Sequence, residues 1–467
     1  MPWSSRGRSN PQPNRPTASR PDRADPPHES ELGSHNACDA DGRNLGTWSK
    51  LPLRDRLLIL ATLIAVAALA IPRLPPGICS GDSGELQLAS ATLGITHAPG
   101  YPGYVSLGYL ATLVPGVNPA YMVTLACLAS GLIVIGLCIL LQVRLGVAPA
   151  VSCLTALTLL THPRMWWSLV APEVYLPSLA FLAGAVYLLV RFEQVGARRD
   201  LYIAAALYGV SLANRPPILF MLPFIMAAWW YGWRCWQRRR SNDARTWSWA
   251  RSLSLATACA ALPGLYSVGY LYVRDQPATP YNYIERWNQE NRGLPDTTEG
   301  VGAKLERVVW HTSAREFDYA MGNTWTGAWR KLRWVRNEFF LYRSTTLGLV
   351  LTMIVLGAWV TFQRCRAALW LFVGMIVSTL AFVCAYRMWG QAADLLPMIW
   401  TATVLLGVAT VPILPPSASR TRKRIGVAAL VIFSPFLLHY ASERAEKTSK
   451  KGDATEFVRA MDMQSLP

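Results

Sequence analysis

The chain is poor in charge. Asp, Glu, Lys and Arg supply 16% of its 467 residues, against roughly a quarter of a typical soluble domain. It has no P-loop and no GxGxxG opening a helix after a strand, so no segment is built to cradle a nucleotide phosphate. It lacks HExxH and CxxC, the spacings that place zinc ligands, and it lacks the GxSxG elbow of a serine hydrolase. Its nine cysteines (Cys38, Cys79, Cys127, Cys138, Cys153, Cys235, Cys259, Cys365, Cys384) mostly lie inside apolar runs. They read as small core residues and not as metal ligands or a disulfide framework. This composition excludes a small disulfide scaffold.

What the chain has is apolar length. Hydrophobic residues make up 52%, and runs long enough to cross a bilayer recur. The first, Leu57 to Ile71, follows Arg54 and Arg56 and ends in IPRLPPG. It lacks a small-residue cleavage site and reads as an anchor helix. Further spans fall at 120–142, 147–163, 172–190, 201–213, 216–233, 253–273, 345–362, 367–386, 395–414 and 425–440. The pattern predicts an all-α polytopic membrane protein, a bundle of about eleven transmembrane helices, each needing ~20 residues. The 201–213 run is short for a span, and Tyr104–Val114 is laid in the outer leaflet as an interfacial piece. The expected organisation is a disordered cytoplasmic tail over 1–50, a transmembrane module over 51–273 carrying the catalytic loop, an extracytoplasmic loop over 274–343, C-terminal transmembrane helices over 344–440 and a polar tail over 441–467.

The net charge of +17 comes from 45 Lys and Arg against 28 Asp and Glu. The excess sits in short clusters between apolar runs, the pattern of cytoplasmic loops beside anionic lipid and not of a nucleic-acid-binding surface. With the N-terminus inside, the compact clusters Arg191/Arg198/Arg199, Arg234 to Arg251, Arg364/Arg366 and Arg420 to Arg424 all fall on the cytoplasmic side.

That topology collects the unusual polar residues on the outer face. Asp82, Glu85 and His97 lie in the first outer segment, His162, Arg164 and Glu173 in the next, Asn214 and Arg215 in SLANRPP, and Arg387 and Asp394 in the last. Ionisable groups near membrane depth are costly and usually face a cavity or a partner. Simpler readings stand beside this one. Asp82 with Glu85 fits a capping box on a helix over 83–93. His97 fits a rigid Pro/Gly loop, Glu173 a helix first turn, and Arg215 a snorkelling helix end.

The run SGDSGELQLASATLGITHAPGYPGY resembles the signature GGDSGEL followed by LGxxHPPGYPL. The matching residues are Gly81 to Leu86, Leu93, Gly94, His97, Pro99, Gly100, Tyr101 and Pro102. Glu173, Val174 and Tyr175 are similar to its later E-V-Y, and Gly209, Ser211, Ala213 and Asn214 to its G-x-S-x-A-N-H. Ala98, Gly103 and Arg215 depart from it, standing where it has proline, leucine and histidine. The signature belongs to a bacterial family, catalogued as a domain of unknown function, that includes the animal endoplasmic-reticulum protein O-mannosyltransferase acting on plexin-type IPT domains. The resemblance covers about residues 51–240.

It implies a GT-C-like glycosyltransferase with an outer-face site, in a bacterial plasma membrane. The implied reaction takes a mannose-like sugar from a polyprenyl-phosphate donor to a hydroxyl of a protein or glycan. Asp82 and Glu85 are then the catalytic acids. His97, Tyr101, Arg164, Glu173, Tyr175, Asn214, Arg215 and Arg387 are the substrate-binding candidates. No resident cofactor and no metal ligand is assigned, a divalent requirement stays open, and nucleic acid is not a partner. The alternative is a transporter or flippase of a lipid-linked precursor, against which stand the outer-loop position of the acids and the lack of an internal repeat.

Overall fold

In a bilayer the backbone must satisfy its own hydrogen bonds, so the apolar runs fold as helices. The computed structural model describes residues 48–239, 248–297, 300–339, 344–387 and 392–412. Among these no strand forms beyond a single bridge between Ile95 and Asn282. Residues 1–47 of the expected tail, the expected 425–440 span and the 441–467 tail lie outside the described residues.

Helix α1 (Leu53–Ala70) is followed by two short helices, α2 (Asp82–Thr92) and α3 (Pro102–Thr112). Helix α4 (Pro119–Arg144) starts on Asn118, whose side chain accepts from the Ala120 N–H at 2.9 Å. Next come α5 (Pro149–Thr161), α6 (Pro163–Val170), α7 (Tyr175–Val195) and α8 (Arg198–Asn214). A 3-10 turn at Pro216–Met221 leads into α9 (Leu222–Arg239), and α10 (Trp249–Arg274) follows. Three amphipathic helices form the 274–343 segment: α11 (Tyr283–Asn291), α12 (Val301–Thr312) and α13 (Trp325–Phe339). Helices α14 (Ser344–Arg364), α15 (Arg366–Ala385) and α16 (Leu396–Ala409) complete the described chain.

Six helical stretches are long and apolar enough to cross a membrane: Leu53–Arg73, Pro119–Arg144, Tyr175–Val195, Pro216–Arg238, Trp249–Arg274 and Arg366–Ala385. Three shorter apolar helices, Pro149–Thr161, Val350–Arg364 and Ala393–Ala409, pack among them. Every expected span up to residue 412 coincides with a helix. The chain is an all-α, multi-pass integral membrane protein.

The interior is closed by large side chains and by polar groups that find partners inside the bundle. Trp400 is buried and donates its indole N–H to the Val134 carbonyl at 3.1 Å. Gln142 donates to the Thr403 carbonyl at 3.0 Å and accepts from the Thr155 hydroxyl at 2.6 Å, joining α4, α5 and α16. At the basic end of the bundle, Glu193 accepts from the Ala367 N–H at 2.8 Å and from Cys365 Sγ at 2.7 Å. This seats a carboxylate on the N-terminus of α15, where the helix dipole favours it.

The opposite end carries α2, α3 and the 274–343 segment. The Ile95 N–H donates to the Tyr281 carbonyl at 2.8 Å, and the Tyr283 N–H donates back to the Ile95 carbonyl at 3.0 Å. Arg274 reaches the Leu93 and Thr92 carbonyls at 2.6 and 3.0 Å, and the Tyr270 hydroxyl the Gly94 carbonyl at 2.8 Å. Fully buried Arg307 joins α12 to Asp275 at 2.8 Å and to Glu285 at 2.8 Å. The 274–343 segment is therefore fastened onto the loop after α2, and does not stand apart as a separate module.

Candidate active site

The site begins at the first turn of α2. Gly81 takes φ +63°, a left-handed value that suits glycine, and turns the chain into the helix. No side chain caps this helix, and Asp82 is its first residue. The capping-box arrangement does not form, because the Glu85 carboxylate is drawn forward to His97 and not back to the helix start. Gln87 anchors the turn from below. It accepts from the Cys79 N–H at 2.8 Å and donates to the Ala120 carbonyl at 3.0 Å and the Thr124 hydroxyl at 3.1 Å. Gly84 passes so close to this segment that a Cβ there would stand 2.1 Å from the Cys79 carbonyl oxygen.

Glu85 accepts from the His97 N–H and from His97 Nδ1, each at 2.7 Å. Burial works to raise the Glu85 pKa, but its hydrogen bonds to His97 and the charge there outweigh it and hold the carboxyl below its ordinary value. His97 responds in the opposite sense. Burial works to lower it, and the Glu85 bond and charge, with Asp82 and Glu316 nearby, carry it above its ordinary value. The ligand atoms of Asp82, Glu85 and His97 lie within 4.8 Å of one another, close enough to share a metal ion. The Asp82 carboxylate is exposed and accepts no hydrogen bond from the described residues.

These three residues form one wall of a cavity of about 580 Å³. Tyr101, Tyr175, Asn214, Arg215 and Asp394 line it too. Tyr101 sets its ring edge-on to His97, with centroids 5.3 Å apart. Arg215 forms an ion pair with buried Asp394 and lies over the Tyr175 ring, 4.9 Å from its centroid. Asn214 accepts from the Tyr104 N–H at 3.1 Å and so caps α3. A Cβ at Gly103 would meet that amide at 3.0 Å, which accounts for a glycine here.

The other expected residues lie outside the cavity lining. Glu173 sits behind α2 and accepts from the Ser83 hydroxyl at 2.5 Å. Burial pushes its carboxyl up to about 7, the Ser83 bond opposing and Asp82 adding to the rise. His162 caps α6, its Nδ1 accepting from the Arg164 N–H at 3.2 Å. Arg387 donates to the Gly322 carbonyl at 2.7 Å and ties the end of α15 to the 320–323 turn. Arg164 stays clear of the lining as well.

The cavity also receives residues that sequence reasoning missed. The 274–343 segment supplies Tyr283, Ser313, Ala314, Glu316, Phe317, Asp318 and Met321. The Tyr283 hydroxyl donates to Glu316, and the Tyr281 hydroxyl bonds Glu85. Buried Lys331, on α13, adds positive charge beside Asp394. Only the aromatic doublet around Asn282 hinted at this, because nothing local ties residue 281 to residue 95.

The architecture defines the class: an all-α, polytopic membrane bundle with a polar cavity at one end. It is similar to the crystal structure of ArnT from Cupriavidus metallidurans in the apo state, with a TM-score of 0.50 at 13% identity over 84% of this chain and 74% of that one. Residues 82–240 match the family model described as the protein O-mannosyl-transferase TMEM260 N-terminal domain. The protein O-mannosyl-transferase TMEM260 of Mus musculus is 30% identical over 261 residues, which are 55% of this chain and 35% of the mouse protein. The chain thus spans about a third of the length of that curated relative. The S. cerevisiae Pmt1–Pmt2 complex bound to the sugar donor shows a weaker likeness, with a TM-score of 0.40 at 16% identity over 51% of this chain and 36% of that one.

Proposed function

We propose that this chain is an inverting membrane glycosyltransferase that moves a mannose-like sugar from a polyprenyl-phosphate donor to a hydroxyl of an extracytoplasmic protein or glycan. The observation that carries the reading is that one cavity is lined both by the Asp82 carboxylate, without a hydrogen-bond partner among the described residues, and by the Arg215 guanidinium, which Asp394 holds in place. The acceptor oxygen attacks the anomeric carbon, and its proton passes to the Asp82 carboxylate as general base. The bond from that carbon to the phosphate oxygen breaks, and the phosphate leaves on its lipid. Arg215 offers the leaving phosphate a fixed guanidinium. The matched O-mannosyl-transferase model over 82–240 supports the reaction class, since it contains the acid loop, Glu173–Tyr175 and Arg215.

In this reading the cavity end faces the extracytoplasmic side of a bacterial plasma membrane. Glu85 and His97 hold the loop that presents Asp82. The deciding experiment gives the purified full chain, in detergent, polyprenyl-phosphate mannose labelled in the sugar, with the cell's own envelope proteins and glycans as acceptors. Label transferred to an acceptor, and lost in Asp82→Asn, supports the reading. Movement of lipid-linked sugar in closed vesicles with no transfer in detergent would replace it with a transporter.

A further inference from the structure

Helix α13 is pinned to the membrane boundary at its start. The Asn323 N–H donates to the Ala385 carbonyl at 3.1 Å and its side chain to the Cys384 carbonyl at 3.0 Å, both at the end of membrane-crossing α15. Eight residues further on, Lys331 lies beside Cys384 and Asp394, at the same end of α15. The first half of α13 is thus held at the cavity end of the bundle, where α15 leaves the membrane.

Its two faces differ. Gly327, Lys331 and Val335 turn inward, and the helix packs on α15 through this side. Outward stand Trp325 and Trp329, 77% and 52% exposed, followed by exposed Arg330, Arg333 and Arg336. Glu338, near the far end, is the only acid in the helix. Tryptophan settles where one edge meets hydrocarbon and the other meets headgroups. Arginine grips phosphate oxygens bidentately, and basic amphipathic helices of this kind lie in the interfacial plane.

We infer that the outward face of α13 docks on anionic phospholipid headgroups of the leaflet at the cavity end, with Trp325 and Trp329 seated at headgroup depth. The inference is independent of the reaction. The helix also carries Lys331 to the neighbourhood of Asp394 on its inner side, so the lipid contact and a cation beside a cavity-lining carboxylate share one element.

The test uses the full chain in nanodiscs of phosphatidylcholine, with or without phosphatidylglycerol, and p-benzoylphenylalanine in place of Trp329. Irradiation is expected to give phospholipid adducts, enriched in phosphatidylglycerol over its share of the disc. Substituting Arg330, Arg333 and Arg336 with Gln should cut that enrichment by about fivefold per arginine removed. In the unlabelled protein, lipids brominated near the headgroup should quench emission that Trp325→Phe/Trp329→Phe removes. Adducts confined to protein, enrichment indifferent to the arginines, or quenching unchanged by the Phe pair would each overturn the inference. Capture of an acidic protein in preference to lipid would overturn it too.

Discussion

Glu85 holds His97 at two points, the backbone N–H and ring Nδ1, each at 2.7 Å. That grip commits Glu85 to shaping the loop. It leaves Asp82, one turn earlier on α2, exposed and without a hydrogen-bond partner among the described residues. The two acids of one motif therefore have different work.

Asp82→Asn should lower kcat by ~10²-fold or more while leaving donor affinity and thermal stability near wild type. Glu85→Gln should lower activity and stability together, because it loosens His97. Steady-state kinetics alongside thermal unfolding in detergent reads both. Full activity in Asp82→Asn would move the base to Glu85.

The Glu85–His97 pair should give the fold a pH window. The His97 pKa is raised, so its contribution is complete below the ordinary 6.5 and fades as pH rises through the raised value. The Glu85 pKa is lowered, so its contribution is complete above the ordinary 4.5 and fades as pH falls through the lowered value. Stabilisation by the pair is greatest between those two ordinary values. His97→Gln should flatten the melting temperature across that range, and a pH profile parallel to wild type would refute the pairing.

Glu173 works in the other direction. Its carboxyl is pushed up to about 7 from an ordinary 4.5, chiefly by burial. Its contribution to stability is complete below 4.5 and lost as pH rises through about 7. Glu173→Gln imitates the protonated acid and keeps an oxygen for the Ser83 hydroxyl. The variant should lose less stability than wild type between pH 5 and 8, as followed by thermal unfolding. An unchanged slope would mean that Glu173 stays ionised throughout.

Arg215→Ala should destabilise the protein by about 3–5 kcal/mol, since it strands buried Asp394 without its cation. Adding Asp394→Asn should restore most of that stability but not donor affinity. Arg215→His should retain part of the affinity, and more as pH falls. Donor binding and melting curves for the set separate a phosphate role from a purely structural one. Wild-type donor affinity in the stable double variant would end the phosphate assignment.

The orientation can be checked with thiol labels. Ser80→Cys and Glu290→Cys should react with an impermeant reagent in intact cells, while Arg238→Cys should not. All three positions are exposed. Gly84 is unsuitable as a probe, because its missing Cβ is what lets α2 approach Cys79. Labelling of positions 80 and 238 from the same side would invert or dismantle the topology.

Hydropathy and local motif determined a good deal by themselves. A span must bury its own backbone in lipid, so length and apolarity alone located the helices, down to the 17-residue α8. The signature picked out Asp82, Glu85 and His97 together, and their ligand atoms do lie within 4.8 Å of one another, since the three belong to a single helix and its exit turn. Only tertiary structure decided what each side chain does there. Glu85 could cap its own helix or reach His97, and the fold of residues 93–97 brings His97 within 2.7 Å. Asp394 and Arg215 are 179 residues apart, and no local pattern pairs them. The sequence shows the 274–343 segment only as a polar extracytoplasmic loop, because its attachments are backbone hydrogen bonds between residues 95 and 281–283 and the Arg274 bonds to the Leu93 and Thr92 carbonyls. Such contacts depend on where distant carbonyls and carboxylates meet in space, and linear periodicity carries no record of that.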